Sequence, residues 1–167
     1  MAGEHMSTGT GEVLRGAERN AYVRSLFERI APRYNLMNRL MTGGLDLRWR
    51  RIAIAEAHLP PGGRLLDLAT GTGDIALMAL GCDSSLQVIG ADFSLTMMRI
   101  GQGRAGGDRA GWCGADALRL PYPDNTFDAV ISAYLIRNLS PDQIEGAFRE
   151  QVRLVKPGGR VVCLDAT

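Results

Sequence analysis

What this 167-residue sequence has little of narrows the reading before any motif is found. Its three cysteines, Cys82, Cys113 and Cys163, are odd in number and far apart, which argues against a disulfide framework or a zinc site. Two of them lie in apolar runs and are expected as small buried side chains in a reduced compartment. Neither charge is in excess. With 19 Lys and Arg against 18 Asp and Glu the net charge is +1, so no global field recruits nucleic acid or an anionic membrane. No apolar run approaches the roughly 20 residues of a membrane span, and the N-terminus lacks the charged-then-apolar pattern of a secretory signal. The expectation is a cytoplasmic domain without nucleic-acid partners. Residues 1–20, opening MAGEHMSTGTGE, have no periodicity and read as a disordered leader with a second start at Met6.

What is present has two parts. Between Ala21 and Met41 the apolar residues Val23, Phe27, Ile30, Tyr34 and Met37 step at helical spacing, with a break expected at Pro32. After a turn at Thr42, Gly43 and Gly44, the stretch Leu47 to His58 reads as helix again, so residues 21–58 form a helical lid. From residue 59 to 167 strand and helix alternate. RLLDLA, LQVIGAD, WCGAD, FDAVISAYL and RVVCLD read as strands. DIALMALG, a segment started by Ser94, and Pro141 to Val155, capped by Ser140 and stopped by KPGG, read as helices. This alternation predicts an α/β fold: a doubly wound, mostly parallel, Rossmann-like sheet with helices on both faces.

In such sheets ligands bind beyond the carboxyl ends of the strands, where strand order reverses. There lies DLATGTGD, residues 67–74, whose Gly71 and Gly73 let the backbone approach a ligand. The spacing Gly71, Gly73, Ala76, followed by Asp92, also meets the loose dinucleotide fingerprint, so NAD is one reading. Electrostatics favours another. Asp67 and Asp74 flank the turn, and Asp92 and Asp116 end or follow the next strands, so phosphates would meet four carboxylates. S-adenosylmethionine has no phosphate. Asp67 would face its ammonium group, Thr72 and the helix start after Gly73 its carboxylate, Asp92 both ribose hydroxyls, and Asp116 the adenine amine.

Three longer stretches are more specific: YNLMNRLMTGGLDLRW at 34–49, DALRLPYPDNTFDAVISAYLIRN at 116–138 and RLVKPGGRVVCLDAT at 153–167. With them the chain resembles the UbiE-type ubiquinone/menaquinone biosynthesis C-methyltransferases, class I enzymes dependent on S-adenosylmethionine, from about Phe27 to Thr167. The resemblance implies S-adenosylmethionine as cofactor and S-adenosylhomocysteine as product. It puts cofactor positions on Thr72, Asp92, Phe93, Asp116, Ala117 and Ala133, with Met97 near the adenine. It implies Arg137 as the group stabilising a phenolate on the substrate, Asn138 as the group orienting the ring oxygen, and Tyr34 as a proton relay. No metal is implied. Asn35, Thr42, Asp46, Ala133, Leu135, Asp165 and Thr167 depart from the family's usual residues.

The implied substrate is a prenylated quinol, a demethylmenaquinol or a ubiquinone precursor. Phe27, Met37, Leu40, Met41, Leu45 and Trp49 would line a channel for its tail, and Arg39, Arg48, Arg50 and Arg51 would touch anionic headgroups in transient contact with the inner membrane face. Another small aromatic or natural-product acceptor, or a non-catalytic cofactor-binding partner subunit, are the alternatives. Class I enzymes place two more strands after the fifth, whereas this sequence stops there, so an incomplete sheet is expected, truncated or completed by a partner chain or a twin subunit at the fifth strand.

Overall fold

The computed structural model describes residues 43–165. The leader, the helices expected across 21–41, and the positions Tyr34, Arg39 and Thr42 lie outside them. Helix α1 (Leu45–Glu56) is followed by β1 (Arg64–Leu68), α2 (Asp74–Cys82), β2 (Gln87–Asp92), α3 (Leu95–Gln102), β3 (Gly111–Gly114), β4 (Phe127–Ala133), α4 (Pro141–Leu154) and β5 (Val155–Leu164). The strands make one sheet in the order β3-β2-β1-β4-β5, every pair parallel. Strand order therefore reverses beside β1, and the loops leaving β1 and β4 part there.

Alternation along β1 distributes the core. Leu65 joins Ala53 and Ala57 from α1 with Ile75, Ala76 and Ala79 from α2 on one face; Leu66 and Leu68 join Phe127, Val130 and Leu154 on the other. All of these are at most 4% exposed, and each large aliphatic among them contributes about 2 kcal/mol by leaving water. Helix α1 thus forms part of the packed layer on one face of the sheet. No helix among the described residues is long and apolar enough to cross a membrane.

Capping follows the sequence. Ser94 accepts from the Met97 amide at the start of α3, and Ser140 and Gln143 form a reciprocal capping box at α4. The KPGG stretch departs from expectation. Helix α4 passes directly into β5, and Lys156 to Gly159 bulge out opposite Asp128 between the pairs Phe127↔Val155 and Ala129↔Arg160. Gly158, at φ 82°, makes that bulge possible. The cysteines also differ from expectation. All three are free, Cys82 and Cys163 are exposed and Cys113 is half-buried, because Cys163 stands on the edge strand and Cys82 at the end of its helix.

Candidate functional site

The backbone leaving β1 and β4 is strained at matching places. Ala69 (φ 58°) and Tyr134 (φ 59°) each follow the last residue of their strand, and neither is a glycine. Such left-handed residues cost of order 1 kcal/mol or more and persist where the surroundings over-determine them, typically at functional sites. Between the two loops lies a cleft lined by Arg50, Ala69, Thr70, Gly71, Thr72, Asp74, Asp92, Phe93, Met97, Ala133, Tyr134, Leu135 and Asn138. Counted out to its open mouth, solvent included, it spans about 550 Å³.

Two buried carboxylates build this loop system. Asp92 accepts from the Gly71 amide through Oδ2 and from the Ser94 amide through Oδ1, both at 2.8 Å, tying the β1 loop to the start of α3. Burial raises its pKa against the pull of these amides. Asp67 lies deeper, on the helix-covered face that it shares with Leu65. Its Oδ2 accepts from Thr70 Oγ1 at 2.6 Å and from the Ala76 amide at 3.0 Å. Burial pushes its carboxyl from 3.8 to about 7, opposed by those two donors and by the charge of Arg50.

The structure distributes the expected residues unevenly around the cleft. Asp67, expected to face a ligand's ammonium group, does not line the cleft: its carboxylate accepts from Thr70 and the Ala76 amide beneath the turn and shapes the loop. Gly73 is also outside the lining. At φ 79° it caps α2 against Trp112, whose Cη2 would stand 2.5 Å from a Cβ placed there. Asp116 is exposed and turned back on the Leu118 amide, and Ala117 packs into the core beside it, so neither lines the cleft. Gly71, Thr72, Asp92, Phe93, Met97 and Ala133 do line it together.

Of the expected catalytic residues, Asn138 lines the cleft and donates from Nδ2 to the Tyr134 carbonyl at 2.9 Å. Arg137 does not line it. Its amide and its Nε meet Asp165 at 3.2 and 3.0 Å, and its guanidinium carbon stands 4.3 Å from the centre of the Tyr134 ring. Tyr34 lies outside the described residues.

Sequence reasoning missed Arg50 as a site residue by assigning it to an exposed basic cluster. Arg48 and Arg51 are exposed, but Arg50 is only 5% exposed and turned into the cleft. The signal was present: Asp46, Arg50, Ala53 and Ala57 step by four, three and four along the buried stripe of α1. The electrostatic case against phosphates also weakens. Asp74 is held by Arg104 and lies 3.7 Å from Arg50, so of the four carboxylates Asp92 alone faces the cleft without an arginine at hand.

The chain matches the model of the ubiE/COQ5 methyltransferase family over residues 15–167. It is 48% identical over 145 residues to the ubiquinone/menaquinone biosynthesis C-methyltransferase UbiE of Desulfotalea psychrophila, covering 87% of this chain and 58% of that protein. It is 46% identical over 142 residues to the demethylmenaquinone methyltransferase of Thermus thermophilus, covering 84% and 64%. The chain thus spans about three-fifths of the length of these curated relatives. The crystal structure of geranyl diphosphate C-methyltransferase from Streptomyces coelicolor, solved with Mg2+, geranyl-S-thiolodiphosphate and S-adenosyl-L-homocysteine, superimposes with a TM-score of 0.62. At 21% identity, over 70% of this chain and 42% of that one, the likeness is one of fold.

Proposed function

The chain belongs to the ubiE/COQ5 methyltransferase family, and from that membership we propose that it binds S-adenosylmethionine in the cleft between β1 and β4 and methylates a ring carbon of a prenylated quinol. The observation that carries the reading is the loop held by Asp92. A carboxylate already fixed by two backbone amides keeps lone pairs for the hydroxyls of a ribose, while Gly71 at φ 55° leaves backbone open for close approach. Phe93 and Met97 line the same cleft as an apolar wall suited to an adenine ring. Arg50, a buried cation facing the cleft, suits the acidic end of the cofactor's amino acid.

When bound, S-adenosylmethionine supplies an already activated methyl group, so this chain's residues have to align the acceptor and manage one proton. The net change replaces a ring C–H by C–CH3 and releases that proton. Arg137, oriented by Asp165 and by the Tyr134 ring, stabilises negative charge on the quinol oxygen. Asn138, fixed by the Tyr134 carbonyl, orients that oxygen. Tyr34 supplies a relay for the proton from the preceding segment. Lipid tails bring the acceptor to a membrane surface, where Arg48 and Arg51 remain exposed for transient contact.

The test incubates the protein with S-adenosylmethionine labelled in its methyl group and a short-tailed demethylmenaquinol or the corresponding benzoquinol. The expected product is one methyl heavier, made from one quinol in preference to the other and lost in Arg137→Ala. Turnover of neither quinol, with cofactor binding intact, overturns the acceptor and leaves another small aromatic or a non-catalytic partner subunit.

A further inference from the structure

Arg50 stands apart from every other arginine among the described residues. It is 5% exposed, faces the cleft, and its Nε has no hydrogen-bond partner among those residues. Its nearest acids are Asp46 Oδ2, 3.7 Å from Nε, and Asp74 Oδ2, 3.7 Å from Nη2, distances that balance charge but exceed hydrogen-bond range. The Tyr134 ring, 5.3 Å from the guanidinium carbon, fixes its position from the far side of the strand switch. A buried N–H left unmade costs free energy, and a planar acid group meets a guanidinium fork in the geometry it favours.

We infer that Arg50 is the residue that receives the carboxylate of the cofactor's amino-acid end, an assignment that rests on the S-adenosylmethionine reading above. The surrounding charges decide the class of guest. Among the described residues, Asp46, Arg50, Asp74 and Arg104 alternate as two acids and two bases. An α-amino acid brings one charge of each sign and leaves that balance unchanged, its carboxylate on Arg50 and its ammonium toward Asp74. A phosphate brings only negative charge, beside two carboxylates in a partly desolvated cleft. Asp46, one turn earlier on α1, lies 3.7 Å from the Arg50 Nε and balances its charge from behind.

The test is calorimetric titration of the protein and of its R50M and R50K variants with two ligands. S-Adenosylhomocysteine carries the amino-acid end; 5′-methylthioadenosine keeps the adenosine and the sulfur without it. The expected result is a loss of about 10- to 100-fold in affinity for S-adenosylhomocysteine in R50M. R50K falls between R50M and the parent, because a lysine keeps the charge and loses the fork. Affinity for 5′-methylthioadenosine stays unchanged within about threefold in both variants, on the same scale. Thermal unfolding of each variant checks that it folds, and if R50M does not, R50K with the same two ligands carries the test. Equal losses for both ligands in R50K, or undiminished binding of S-adenosylhomocysteine, overturn the assignment. Binding of neither ligand by the parent protein overturns the S-adenosylmethionine reading itself, a failure distinguishable from the other two.

Discussion

Asp92 and Asp128 make the same kind of contact at opposite rims of the sheet. Each carboxylate accepts a backbone amide from the loop or strand beside it, Gly71 for Asp92 at 2.8 Å and Arg64 for Asp128 at 2.7 Å. Their acidities move in opposite directions. Burial raises Asp92 above the usual carboxylate range. At Asp128 burial also pushes upward, but the Arg64 amide and Lys156, at 2.8 Å, together pull the carboxyl below that range. The amino-terminal rim is thus built from partly exposed pairs, and its left-handed positions fall on residue types that tolerate them, Asn125 at φ 53° before β4 and Gly158 at φ 82° in the bulge. The carboxyl-terminal rim combines buried acids with left-handed residues at Ala69 and Tyr134, types that do not favour that backbone, a combination of the kind that clusters at ligand sites.

The largest effect that separates the rims is on binding. Asp92→Ala strips two buried amides of their acceptor and is expected to lower S-adenosylhomocysteine affinity by about 100-fold, while Asp128→Ala leaves it unchanged within about twofold. Equal effects at both positions, measured by titration calorimetry, would break the comparison.

Next in size is the pH dependence of stability. Between about pH 4 and 7 the folded chain holds a proton on Asp67 that the unfolded chain has released, since its carboxyl rises from 3.8 to about 7 on folding. Stability therefore falls as pH rises through that window, by about a few kcal/mol, and levels off above it. Asp67→Asn, neutral throughout, flattens the slope. Asp128 works in the other direction: its lowered carboxyl adds stability above about pH 4 that is lost as pH falls below it, and Asp128→Asn removes that acid-side loss. Denaturant midpoints measured from pH 3 to 8 read both arms.

Smaller again, Ala69→Gly relieves a left-handed alanine and is expected to stabilise the protein by about 0.5 to 1 kcal/mol. Lys156→Ala, which removes one partly exposed ion pair from the other rim, costs at most about 0.5 to 1 kcal/mol. Thermal unfolding measures both. A destabilised Ala69→Gly variant would show that the β1 loop is not strained.

Much of this was legible in sequence. The alternation of apolar runs gave the strands, and the glycines at 71 and 73 marked the turn at the switch point. Less legible was which acid faces inward. Leu65 and Asp67 share a face by the period of two, so the apolar neighbours that defined β1 also placed Asp67 under the helices, out of the cleft. Arg50 is hard to read for the complementary reason: four arginines within 13 residues resemble a basic surface until the stripe through Asp46, Ala53 and Ala57 is followed. The bulge at Lys156 to Gly159 carried the residues of a helix stop, and only pairing with β4 shows that strand starts first. Strain at Ala69 and Tyr134 has no sequence signature, because neither residue type favours positive φ.

The central claim is that the carboxyl-terminal rim is a site for S-adenosylmethionine. Calorimetric titration with S-adenosylhomocysteine, with NAD as the control, tests it most directly. The expected result is micromolar binding of S-adenosylhomocysteine, on the order of −8 kcal/mol, and none of NAD. NAD binding without S-adenosylhomocysteine binding would contradict it, and would mean that the buried arginine and the strained loops serve a phosphate.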